Sequence, residues 1–83
     1  MTIAAMVQRE IDKKGWTQAD AAIKLGVSRL TVSQLVNHKR GVTATMALRL
    51  ERAFGVKALV WLRAQADAEL AAAKRDARVR VAR

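Results

Sequence analysis

The sequence predicts an all-α fold of five helices, the last of them long. Three observations point there. Alanine is the commonest residue and proline is absent, which favours helix over strand. Apolar residues recur at three- and four-residue spacing in one segment after another. Glycines and short polar stretches punctuate those segments at helix-like intervals. Eighty-three residues make one small domain, and a hydrophobic content of 52% supplies one compact core.

Segment one is expected over about residues 3–14. Ile3, Val7 and Ile11 recur every four residues with Met6 beside them, and Gly15 stops the helix. Segment two is expected over about residues 17–25. Thr17 and Asp20 fit a capping box, in which the Thr hydroxyl takes the N3 amide and the acid reaches back to the cap. Ala19, Ala22 and Ile23 form its expected inward stripe, and Gly26 ends it with positive φ. Segment three is expected over about residues 28–37, capped by Ser28. Val32, Leu35 and Val36 define its core face. At 100° per residue Leu30, Ser33, Gln34 and Asn37 fall on the other side. Leu30 is thus an apolar residue off the core face, the kind of local inconsistency that marks functional positions.

A polar loop, Asn37-His38-Lys39-Arg40-Gly41, precedes segment four, expected over about residues 45–54 with Thr43 as its cap. Met46, Leu50, Ala53 and Phe54 form its inner stripe, and Gly55 closes it. Segment five begins near Lys57 and can run past Arg75. Leu59, Val60, Trp61 and Leu62 carry its apolar weight. Residues 1–73 are the expected domain and residues 74–83 a basic C-terminal tail, with Lys74, Arg75, Arg78, Arg80 and Arg83 against Asp76. The alternation Arg78-Val79-Arg80-Val81 also permits a short edge strand; a frayed tail is the favoured reading.

Charge narrows the function. Sixteen Lys+Arg against seven Asp+Glu give +9, which attracts polyanions, nucleic acid before anionic membrane. No apolar run is long enough to span a bilayer, and the N-terminus lacks the basic start of a signal peptide. Without cysteine there is no disulfide, thiolate nucleophile or thiolate metal site, which suits a reducing cytoplasm. A single histidine leaves no metal cluster or triad, so neither an enzyme nor a cofactor is expected.

Segments two and three carry the functional argument. A capped helix, a glycine turn and a second capped helix make a helix-turn-helix. The second helix offers free amides to phosphate at its start and short polar side chains outward, as a major-groove reader requires. Arginine pairs with guanine O6/N7 and glutamine with adenine N6/N7, while Leu30 suits a thymine methyl. The plain alternative is an ordinary helical hairpin. The net charge and the Lys39-Arg40 pair favour nucleic acid.

Gly15-Trp16-Thr17-Gln18-Ala19-Asp20, Leu25-Gly26-Val27-Ser28-Arg29, Thr31-Val32-Ser33-Gln34-Leu35, Asn37 and Lys39-Arg40-Gly41 resemble the lambda-repressor-like (XRE) helix-turn-helix family. Arg40-Gly41-Val42-Thr43, Met46-Ala47-Leu48-Arg49-Leu50, Ala53-Phe54-Gly55, Trp61-Leu62 and Gln65-Ala66 look like the HigA-type antitoxins of type II toxin–antitoxin modules. The resemblance covers roughly residues 8–72. It implies a five-helix, lambda-repressor-like dimer that neutralises a RelE/HigB-like ribonuclease toxin and represses its own operon by binding a palindrome. It further implies that Gln18 grips a phosphate and that Ser28 caps its helix and touches the DNA backbone. Arg29, Leu30 and Gln34 would read bases, flanked by Thr31 and Ser33. Lys39 and Arg40 would contact phosphates.

The sequence departs from that pattern at several places. His38 stands where the family usually has glycine, and is either mildly strained or a phosphate contact. Leu30 replaces a commonly polar residue, so the operator cannot be borrowed. Val56-Lys57-Ala58-Leu59 replaces the usual polar cap of the fifth helix, leaving that helix start weakly capped and Leu59 open to a partner. A dimer contact is expected on segments four and five, because Leu59, Trp61 and Leu62 exceed what one small core hides. Trp16 and Trp61 are candidate partner anchors, with core packing the stronger reading for Trp61. Two other roles stay open: a stand-alone repressor, and a toxin-binding protein that no longer binds DNA.

Overall fold

The structure, a computed structural model, describes residues 2–81, with side chains through residue 76. Five helices and no strand occur among them: α1 Ile3–Lys14, α2 Gln18–Leu25, α3 Arg29–Val36, α4 Ala44–Phe54 and α5 Ala58–Val81.

The helix boundaries follow from local chemistry. Thr2, Thr17, Ser28 and Thr43 each sit in extended backbone and accept the amide of the residue three positions on. The capping box of α2 is complete: Asp20 N donates to Thr17 Oγ1 at 3.1 Å, and Thr17 N donates to Asp20 Oδ2 at 3.0 Å. Gly26 ends α2 at φ 71°, as the turn into α3 demands. α5 begins differently. Its first residue has no hydroxyl cap; Ala58 N donates instead to Glu51 Oε1 of α4 at 2.7 Å. The start expected to be weak is therefore capped across helices, by an acid placed where the helix dipole favours it.

The core lies between α1, α2, α3, α4 and the first turns of α5. Val7, Ile11, Val32, Leu35, Leu50 and Trp61 are its largest fully buried members. Trp61 is spent inside the monomer, with its Nε1 donating to Val56 O at 3.1 Å. It is not surplus surface for a dimer, as the sequence reading supposed; Leu59, 63% exposed, remains outside. Trp16 is half-buried and packs against Phe54 with the rings tilted 37° and their centroids 5.4 Å apart.

Two other expectations are corrected. Ala21, Ala22 and Leu25 face the core in α2, while Ala19 is exposed and Ile23 is 78% exposed. The faces that meet α3 and α4 need small residues for close approach, and Ala21 and Ala22 supply them. The C-terminal segment is neither frayed tail nor strand, since α5 continues to Val81; Ala82 and Arg83 lie outside the described residues.

Candidate nucleic-acid interface

The candidate surface is built on α2, the turn at Gly26, and α3. Gln18 is the first residue of α2 and is half-buried. In α3 the fully buried Val32 and Leu35 fix one side of the helix. The rotation per residue then centres the opposite side on Leu30, Ser33, Gln34 and Asn37, with Arg29 and Thr31 at its borders. Leu30 is 66% exposed, on a helix whose core face needs no further apolar residue. Ser28 and Arg29 are exposed, whereas Thr31, Ser33 and Gln34 are half-buried.

Several polar side chains are already engaged. Ser28 Oγ accepts from Thr31 N at 3.1 Å and lies 2.9 Å from Thr31 Oγ1. Asn37 Nδ2 donates to the Ser33 carbonyl at 2.8 Å and to Ser33 Oγ at 3.3 Å, which closes the helix end. Gln34 Oε1 accepts from Arg40 Nε at 3.0 Å. The helix therefore presents an ordered polar face rather than loose side chains.

The loop after α3 is held at both ends. Lys39 N donates to Gln34 O at 2.8 Å, the long bond of a Schellman closure, and His38 takes the left-handed position at φ 59°. At the far end Val42 N donates to Gln65 Oε1 of α5 at 3.1 Å. Gly41 makes room for that side chain, because a Cβ there would lie 3.0 Å from Gln65 Nε2. Lys39 and Arg40 are exposed on this fixed loop. Among the described residues the single ion pair is Lys13–Glu10, so Arg29, Lys39 and Arg40 have no carboxylate neutralising them. Their field is open to a polyanion.

Arg49 is a second positioning residue, and sequence reasoning gave it no role. Its Nη1 donates to Leu25 O at 2.9 Å and to Gly26 O at 3.3 Å, satisfying carbonyls at the end of α2. Glycine at 26 is called for by its φ of 71°, and a Cβ there would also meet the same Nη1 at 2.8 Å and push the Arg49 guanidinium aside. Neither Arg49 nor Gln65 could be found from helical spacing, since each acts on a loop more than twenty residues away.

Among the described residues no cluster of His, Cys, Asp or Glu could hold a metal ion, and no helix is long and apolar enough to cross a membrane.

Comparison with known proteins agrees with this geometry. Residues 7–62 match the helix-turn-helix family. Virulence-associated protein A′ of Dichelobacter nodosus is 35% identical over 66 residues, covering 78% of this chain and 57% of that protein. The chain spans about half the length of the curated relatives it matches. The Pseudomonas aeruginosa antitoxin HigA, solved with the higBA promoter, superposes with a TM-score of 0.88 at 29% identity, over 98% of this chain and 89% of that one. A Pseudomonas aeruginosa protein in complex with its 18 bp operator DNA superposes with a TM-score of 0.81 at 32% identity, over 88% of this chain and 80% of that one. A glycine corner between α2 and α3, an outward α3 face and the match across residues 7–62 lead to one conclusion: the chain belongs to the helix-turn-helix family, of XRE type.

Proposed function

We propose that the protein is the antitoxin of a type II toxin–antitoxin module, and that it represses its own operon by laying α3 in the major groove of a palindromic operator. One observation carries the DNA reading: an outward α3 face, with Leu30 exposed and Gln34 half-buried beside it, is bordered by three cations with no acidic partner among the described residues. Gln18, at the start of α2, serves as a phosphate clamp. Ser28 and the first amides of α3 meet the backbone, Arg29, Leu30 and Gln34 read bases, and Thr31 and Ser33 flank them. Lys39 and Arg40 hold phosphates across the groove edge. Two copies place their α3 helices about 34 Å apart, one turn of DNA.

The toxin partner is a RelE/HigB-like ribonuclease. The similarity to HigA supports that choice, and α5 offers the surface. Leu59, Val60 and Leu70 are exposed along it. A groove of about 740 Å³ runs between α5 and the start of α1, lined in part by Met6, Leu59, Val60 and Ala64. Residues 74–83 form a basic extension of the domain in residues 1–73.

Co-expression tests the antitoxin half of the proposal. A small RelE-like reading frame beside this gene should arrest growth when expressed alone. Co-expression of the present chain should restore growth and yield a co-purifying complex. Arrest that persists, with no complex formed, would leave a stand-alone repressor.

A further inference from the structure

One contact ties α3 to the loop that follows it, and it bears on which base the helix selects. Arg40 Nε donates to Gln34 Oε1 at 3.0 Å. Arginine has donors and no acceptor, so the amide orientation is settled by chemistry: the oxygen faces Arg40 and the Nε2 group lies on the other arm of the amide. The contact joins two surface side chains carried on a fixed backbone. Lys39 N is bonded to Gln34 O on one side of Arg40, and Val42 N is bonded to Gln65 Oε1 on the other. Residue 40 is thus held in register over residue 34 by two backbone anchors. Gln34 is half-buried, and Arg40 has no carboxylate partner among the described residues to draw it away.

A free glutamine reads adenine with both ends of its amide: the oxygen accepts from N6 while Nε2 donates to N7. Arg40 takes one of the oxygen's two lone pairs and turns that end of the amide toward the loop, so that the Nε2 donors are the end left to face the groove. Guanine presents two adjacent acceptors, N7 and O6, to such a donor. Adenine presents N7 beside an N6 donor, which opposes it. We propose that Arg40 is a positioning residue that orients the Gln34 amide with its Nε2 donors toward the groove, so that Gln34 selects guanine over adenine at its base pair. The assignment rests on the reading of α3 as the groove helix.

The test uses the full chain and the operator found in its own upstream DNA. Wild type, Gln34→Ala, Arg40→Lys and the double variant are titrated against duplexes carrying each of the four bases at every position in turn. Gln34→Ala should flatten the preference at one base pair. There wild type should bind the guanine duplex about tenfold more tightly than the adenine duplex, within the range of one good base contact. Arg40→Lys keeps a cation but loses the Nε donor. It should reduce that ratio to about twofold or invert it, and it should do so only while Gln34 is present. Melting curves confirm that all four proteins are folded. A wild-type preference for adenine at that pair would overturn the proposal, as would a guanine preference that Arg40→Lys leaves intact. A wild type that discriminates at no base pair would overturn the groove reading itself.

Discussion

At position 38 a histidine occupies backbone space that glycine fills best, at φ 59°. It makes no side-chain hydrogen bond among the described residues, so about 1 kcal/mol of strain is borne by the closure around it. That closure sets Lys39, whose main-chain amide is bonded while its ammonium is exposed. Lys39→Ala should therefore leave folding intact, weaken binding to every DNA sequence alike, and lower the slope of log affinity against log salt by about one. Titration at several salt concentrations reads that slope, and an unchanged value would remove Lys39 from the phosphate contacts. Single residues were unevenly legible. Leu30 was readable as outward because Val32, Leu35 and Val36 fix the core face of its helix. Gln34 was readable as outward too, but not its bond to Arg40, because side-chain pairing across a loop leaves no periodic trace.

At the scale of elements, helix starts were legible wherever a hydroxyl residue preceded an apolar repeat, as at Thr17, Ser28 and Thr43. The start of α5 was legible in position, near Lys57, but not in its cap, which is Glu51 on another helix. The rotation of α2 was also misread. In eight residues the stripe through Ile23 looks as apolar as the one through Leu25, and only the approach of α3 and α4 to Ala21 and Ala22 decides between them. The corner between α2 and α3 depends on Arg49. Arg49→Ala should free the Leu25 and Gly26 carbonyls and lower stability by about 1–2 kcal/mol. Because the corner aims α3, affinity for specific DNA should fall more than affinity for random DNA. Chemical denaturation and competition binding report the two effects separately. Equal loss on both DNAs would mean that the corner holds without Arg49.

At the scale of the whole molecule, the chain extends 48 Å along its longest axis and about 20 Å across the other two. The length comes from α5, whose 24 residues span about 36 Å. From Ala66 to Asp76 every residue is exposed, so this half of the helix gains nothing from the core. An alanine-rich helix so placed is marginal alone and gains from a partner. The proposed dimer predicts a solution mass twice the 9.1 kDa of the chain, and Leu48→Glu on the exposed side of α4 should shift it toward the monomer while far-UV dichroism stays helical. A wild-type chain that sediments as a monomer at high concentration would contradict it. The fold class was legible in full at this scale because composition and spacing act along the whole chain. The course of α5 beyond residue 74 was not, because its basic and valine-containing end reads as a tail before it reads as a strand.

The central claim is that α3 reads a specific operator. A gel-shift titration of the full chain against its own upstream DNA, at two salt concentrations with random DNA as competitor, tests it most directly. The expected result is a complex that survives excess competitor at both salts, with a salt slope that reflects several phosphate contacts. Binding that competitor removes and higher salt abolishes would contradict it. It would reduce the basic surface to a non-specific one and leave toxin binding as the chain's remaining role.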